Sequence, residues 1–579
     1  MMSRVAYKAI VIAGLFFCAI SAPRAALAAG ADTLKAEIDA FIERLSTNDV
    51  VRWEGADSID VRDDGADAVA TISKGKISFD QLSAKPPSVP ATLTFDRIEI
   101  RRSPKAGGDE RVQFTVKLPA LSRMVVPDGS DVTLALKDAS LTALVEGPAE
   151  HQRDVALSVA SGRLEHQTSA SWLNFGPLTS HWKIIRSDSG GWTAPLDFET
   201  KSIEFALPAA SLTGGVEHVV YAGSAAGPSL TELDALRDQM AEVNKETDPN
   251  KKVATLLPLM PKLFTEFTYS KGELTIEQVT VKKSDIPNLL SLAKATFGGS
   301  ITGLDTDKAT IRLTVGHEGL TIDPSLLPAE RVPHRAVIDV GLEEISVSTL
   351  RALADAASRM GPGASDEDKQ QALPQAIAAA MSLAPVLRIH DAAVDFRDVA
   401  IDATGEAKRA PPAPIGYTAS GDVVVRGFDA LPEIVTDKNG RNLLALLKFI
   451  GDAGTGADGA KTMKFHWMSA TGKPITVNGS DISGWFAGAG QSGRMPGSRP
   501  RALRLADPPE EGDDVRAVQK AVKANEVEAF SDGTYDVATA LAVARFQKAA
   551  GLNVSGVVDP PTAEKLGLKP SPAPSPSKN

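Results

Sequence analysis

The sequence predicts an α+β protein: a β-rich body of antiparallel hairpins and sheets with short helices, followed by a small C-terminal three-helix bundle. Three observations carry this expectation. Apolar and polar residues alternate over much of the first 480 positions, the period of a strand with one buried face. Short stretches of helical period interrupt that alternation. After a segment rich in Gly, Ser, Pro and Arg, three further helical patterns follow in close succession.

Residues 1–28 have a secretory signal layout: Arg4 and Lys8, an apolar run from Ala9 to Ile20, small residues ending in Ala26-Leu27-Ala28, and no acidic residue. Cleavage near Ala28 leaves a chain with no stretch of the roughly twenty apolar residues a spanning helix needs; retention as an N-terminal anchor is the alternative. The one cysteine, Cys18, follows Phe16 and Phe17 rather than the small residues of a lipoprotein signal, so it leaves with the signal. The mature chain then has no disulfide, thiolate metal site or cysteine nucleophile. With Arg4, Lys8 and Arg24 gone, 59 basic residues face 73 acidic ones, a net charge near −14 from the −11 of the whole chain. Phosphate backbones repel such a protein, which argues against nucleic acid and against a broad anionic membrane surface. At 43% hydrophobic content the chain can fill two or more cores.

The body divides into a first half, 29–225, and a second half, 226–486. Leu34, Ile38, Phe41, Ile42 and Leu45 predict an amphipathic helix from Asp32 to Leu45. Strands follow at Val112–Leu118, Val132–Leu136 and Val155–Val159. Helical period returns near Leu230 to Met240, Leu256 to Phe264, Leu289 to Ala295, Leu350 to Ala357 and Gln370 to Met381. A hairpin repeat is expected in the second half. Phe267, Tyr269, Leu274, Ile276, Val279 and Val281 share their spacing with Leu387, Ile389, Val394, Phe396, Val399 and Ile401, with turns at Ser270-Lys271-Gly272 and His390-Asp391-Ala392. Ile72, Ile77, Phe79 and Leu82 fit the same frame around Ser73-Lys74-Gly75, and so do Ile338, Val340, Ile345, Val347 and Leu350. Stacked units of this kind bury one continuous apolar face. The alternative is that a hairpin-rich chain matches such a template by chance. The body resembles uncharacterised periplasmic β-rich families that end in a phrase similar to Gly472-Lys473-Pro474-Ile475-Thr476-Val477-Asn478-Gly479, which implies no activity.

Residues 487–511 read as a flexible linker and 569–579, nearly all Pro, Ser, Ala and Lys, as a disordered tail. Between them, 512–568 predict three helices: one opened by Gly512-Asp513-Asp514, one capped by Asp536 and stopped by Gly551, one started by Asp559-Pro560 and ended at Gly567. From Gly512 to Leu566 this segment resembles the peptidoglycan-binding-like domain family, a three-helix accessory module of cell-wall proteins. The resemblance runs through Gly512, Val515, Val518-Gln519, Val522, Asp532-Gly533-Thr534-Tyr535, Thr539, Ala542-Val543, Phe546-Gln547, Gly551-Leu552, Gly556, Thr562 and Leu566. Where the family has glycine after the turn's aromatic residue and before the third helix, this chain has Asp536 and Asp559, both able to cap helices. The resemblance implies peptidoglycan as the partner, with Asp532, Gly533, Tyr535, Thr539, Gln547 and Thr562 as candidate ligand residues. The competing reading has Thr539 and Gln547 satisfying backbone groups inside the bundle.

Such modules often accompany wall enzymes, yet no catalytic motif stands out. The eight histidines never approach H-E-x-x-H spacing, which leaves no metal site and no cofactor to expect. Ser180-His181-Trp182-Lys183 fits S-x-x-K without its S-D-N and K-T-G companions, and reads as a strand with Trp182 packed and Lys183 solvated. The expectation is a non-enzymatic periplasmic or cell-envelope protein held at the wall, with envelope proteins as further partners. The alternatives are a carrier whose apolar face holds a lipid or other hydrophobic ligand, a wall hydrolase with a dispersed site, and a module that docks a protein.

Overall fold

The computed structural model describes residues 30–46, 51–79, 91–104, 111–125, 131–146, 151–245, 249–360, 365–410, 413, 416–435, 444, 447–448, 450–456, 459–482, 503, 510–525 and 532–568. The expected signal, most of the linker and the tail lie outside them. Contacts divide the chain into two units, Met1–Leu326 with Glu344–Leu383, and Leu327–Glu343 with Ala384–Asn579.

The first unit is built on long antiparallel strands, among them Asp67–Phe79, Ala91–Pro104, Trp192–Leu207, Leu212–Gly227, Tyr269–Lys283 and Ile286–Thr302. The turns expected at Ser73-Lys74-Gly75 and Ser270-Lys271-Gly272 are not turns. Both tripeptides lie inside single strands whose pairing keeps one register on either side of them. The helix expected at Leu289 to Ala295 is likewise strand.

One feature explains the helical spacing and the break at Lys74. At about its middle each long strand slips its alternation, not its pairing register, by one residue, so its inward positions change phase. In Tyr269–Lys283 the inner side takes Leu274 and Ile276, then Val279 and Val281; in Ile286–Thr302 it takes Leu290 and Leu292, then Ala295 and Phe297. The step of three across the slip imitates helical spacing. Lys74, Ser202 and Gln278 occupy such positions, and Asp138 the break between Asp131–Lys137 and Ser140–Glu146, all with φ between 48° and 54°, in the left-handed region. The slips face one another: Ser202 and Gln278 flank Glu217, between the pairs Lys201↔His218↔Glu277 and Ile203↔Val216↔Val279. Farther along, Leu118 donates to Ala139, Ala160 to Lys137 and Gly176 to Lys201 across the same line. The sheet is therefore creased from strand to strand into two leaves.

In the first half of the body the leaves close on a dry core. Ile72, Ile98, Ile100, Phe114, Val116 and Leu141 from one leaf share a cluster with Ile77, Leu93, Phe95, Met124, Val132 and Leu164 from the other. The helix Ala31–Ser46, as expected from its period, lays Leu34 and Ile38 into that cluster. It also brings Glu37 to Arg102, Oε1 to Nε 3.1 Å, with 7% and 4% of the side chains exposed. Arg153 forks onto Asp234 of the helix Leu230–Lys245 at 2.8 and 2.5 Å. The helices Val347–Ser358 and Asp366–Ser382 start at Ser346 and Ser365, whose side chains accept from Thr349 and Asp368 backbone amides.

The outer face is charged, and one row across five strands reads Lys201, His218, Glu277, Lys294, Glu318. His218 bridges Glu277 at 3.1 Å and Glu199 at 2.9 Å, and these bonds raise its pKa above the ordinary 6.5. Glu199 is held below its ordinary 4.5, first by Lys201 and then by His218. A raised histidine pKa contributes stability fully present below 6.5 and lost as pH climbs through the folded value; a depressed glutamate contributes stability lost as pH falls below 4.5. The clamp is thus strongest between about pH 4.5 and 6.5. An NMR titration should show His218 turning over above pH 6.5, and His218→Gln should flatten the fall in urea midpoint above that pH.

In the second unit, residues 335–343, Val386–Asp395, Ala400–Arg409, Tyr417–Arg426 and Lys461–Ser469 pair antiparallel, each with the next. His390-Asp391-Ala392 is a register slip there, not a turn; the hairpin lies at 396–399. Val425, Phe428, Leu431, Ile450, Met463, Phe465, Ile475 and Val477 make its core, which places the Gly472–Gly479 phrase at the closing edge of the sheet.

Candidate functional site: the C-terminal module

The module has the expected helices, Asp513–Ala524, Val537–Ala549 and Pro560–Lys565. Val515, Val518, Val522, Val543, Phe546 and Leu566 meet in its core with Tyr535 and Leu503. Leu503 also pairs with Val558, and Glu510–Glu511 pair with Thr534–Tyr535, so the module's packing reaches back into the segment read as linker. Asp536 and Asp559 cap the second and third helices, accepting from Thr539 and Thr562 amides at 2.9 Å each. The two departures from the family pattern therefore keep the helix starts.

Two glutamines organise everything between the helices. Gln519 is fully buried; its Oε1 accepts from the Gly533 amide at 2.9 Å and its Nε2 donates to Asp532, Thr534 O and Thr539 Oγ1 at 2.8–3.0 Å. Gln547 is its counterpart, also fully buried. Its Oε1 accepts from Ser555 and Gly556 amides at 2.9 and 2.8 Å, and its Nε2 donates to Ser555 Oγ, Val557 O and Thr562 Oγ1. Each glutamine replaces the backbone partners that an irregular loop lacks. The chemistry repeats in the text: Val518-Gln519 and Phe546-Gln547, then Gly533-x-x-Asp536-x-x-Thr539 and Gly556-x-x-Asp559-x-x-Thr562. That internal doubling was readable in the sequence and was missed. Gly556 sits at φ 65° with Ala540 O where a Cβ would come within 3.0 Å, so glycine is required there.

Most of the expected ligand residues lie inside the module. Tyr535, Thr539, Gln547 and Thr562 are all buried, at 0, 2, 0 and 1% exposure, and their polar atoms are consumed inside the module. Tyr535 donates to Gly556 O at 2.9 Å, and burial raises its pKa well above 10. Gly533 is buried as well. Only Asp532 reaches solvent, and its Oδ1 accepts from the Thr534 amide and Gln519, which lowers its pKa. These residues shape the loops that a ligand would meet rather than displaying hydrogen-bond partners themselves. The exposed side chains include Asp513 and Asp514 of the helix start and Arg516, Lys520, Lys523, Arg545, Lys548, Glu564 and Lys565, the last seven of which the sequence reading had not singled out.

Elsewhere, Ser180 and Lys183 lie on the strand Leu178–Lys183 at positions that alternate to opposite faces. Ser180 Oγ donates to Asp197 O at 3.1 Å and Lys183 pairs with Asp154, so the S-x-x-K match is not assembled. Among the described residues no three His, Cys, Asp or Glu side chains converge on a metal position, and no helix is long and apolar enough to cross a membrane.

Residues 511–566 match the family described as a peptidoglycan binding domain. No curated protein and no solved structure matches the chain.

Proposed function

We propose that the chain is an exported cell-envelope protein whose C-terminal module binds peptidoglycan and positions a non-catalytic β-rich body at the wall. The family match over 511–566 carries this reading. The intact pair of glutamine-held loops supports it, because a module that keeps its loop geometry keeps the surface on which a glycan or stem peptide would rest. The secretory layout of residues 1–28 supports export. The module supplies residence rather than chemistry, raising the body's effective concentration at the murein.

Sedimentation with purified insoluble peptidoglycan tests this. The mature chain should pellet with the sacculi, whereas a version truncated after Gly490 should stay in the supernatant. If neither pellets, the module docks a protein and the wall-anchor reading fails.

A further inference from the structure

The creased sheet has two regimes. In the first half of the body the leaves close on a core. Across the strands Trp192–Leu207, Leu212–Gly227, Tyr269–Lys283, Ile286–Thr302 and Lys308–Glu318 the same inner face continues without one. Its rows are Phe198, Tyr221, Leu274, Phe297, Val315 on one side of the crease and Ile203, Val216, Val279, Leu292 on the other. None of these belongs to a buried cluster, and Phe297 and Leu313 remain 46% and 52% exposed. About twelve residues of each strand at roughly 3.3 Å, across five strands roughly 4.8 Å apart, make an apolar face on the order of 40 by 20 Å. That exceeds the roughly 300–600 Å² of the largest apolar patch on a typical monomer.

We propose that this open stretch of the folded sheet is a trough that holds the hydrocarbon chain of an acyl lipid. The inner rows carry no carboxylate, lysine or arginine between the Phe205 and Ile301 levels. Beside the Tyr221 phenol the face carries His317, whose Nδ1 is buried with no hydrogen-bond partner among the described residues. On either side of the crease the strands are paired along their length, so there the face offers no backbone donor or acceptor, and an extended peptide laid on it would leave its own amides unpaired. A hydrocarbon chain has no such requirement. Gly223, Gly272 and Gly299 stand side by side in one row: the Tyr221 side chain lies flat over the first two, as Phe205 does over Gly214, and Gly299 stays open. At one end Trp192, Ala194, Leu230 and Leu233 close the trough in a packed cluster.

The test is a fluorescence titration of the mature full-length protein with cis-parinaric acid and, separately, with pyrene-labelled phosphatidylglycerol. Saturable binding of at least one probe is expected; which one binds separates a free fatty acid from a phospholipid as the source of the chain. Phe297→Glu and Leu313→Glu should each weaken it at least tenfold, while Thr296→Glu, on the outer face of the same strand, should leave it within twofold. Unchanged far-UV circular dichroism and melting temperature would keep the two inner variants interpretable, and either suffices. Absence of saturable binding to both probes, or equal losses in the inner and outer variants, overturns the proposal. So does a concentration-dependent dimer that Phe297→Glu dissolves, since a second copy would then cover the face.

Discussion

Gln547→Ala should unfold the C-terminal module while leaving the body intact. The substitution strips partners from the Ser555 and Gly556 amides and the Val557 carbonyl, all buried. At about 1–3 kcal/mol for each buried group left unsatisfied, the loss is on the order of 3–9 kcal/mol. A module of this size has roughly 3–9 kcal/mol of stability in total. Limited proteolysis of the full chain should therefore cut within 512–568 in the variant and spare it in the wild type, and sedimentation with peptidoglycan should be lost with it. Gln519→Ala should act in the same direction with a somewhat smaller effect, because its carbonyl oxygen holds one backbone amide rather than two. Resistance to protease with pull-down retained would show that the loops hold themselves.

The second large effect lies at the other end of the chain. Glu37→Ala leaves Arg102 charged inside the core of the first half, and removing one partner of a buried ion pair costs about 3–5 kcal/mol. Urea unfolding of the mature protein should show the early transition moved to lower denaturant by that amount. The pair Glu37→Leu with Arg102→Met should recover most of the loss, since an apolar pair of similar volume needs no compensating charge. A double variant as unstable as Glu37→Ala would mean that the cost lies in packing around the helix Ala31–Ser46 instead.

What the sequence disclosed depends on how regular each period is. The helix at Ala31–Ser46, the helices beginning at Leu230 and Val347, and the three of the module were legible because 3.6-residue spacing runs uninterrupted through them. Strand identity was legible too, but strand length was not. A slip such as Gln278 breaks the two-residue period in mid-strand, so one long strand reads as two short ones, and Leu292 to Ala295 reads as a helical turn. No local rule announces the slip, because Lys, Asp, Ser and Gln at those points are unremarkable until a neighbouring strand slips at the same level. In the module the polar residues invited a ligand reading because threonine and glutamine are usually solvent-facing. Their burial follows from loops whose amides have no strand or helix partner, which only the folded arrangement displays.

The crease also assigns separate jobs to the two directions of the sheet. Along a strand, residues set how deep each leaf reaches; across strands, every added hairpin extends the enclosed space by about 10 Å, provided that each strand slips once at the shared level. Size can therefore change by whole hairpins without redesigning what is already present, whereas gain or loss of a single residue near Gln278 or Ser202 would turn half of one strand inside out. Such a protein tolerates growth in large increments and resists it in small ones.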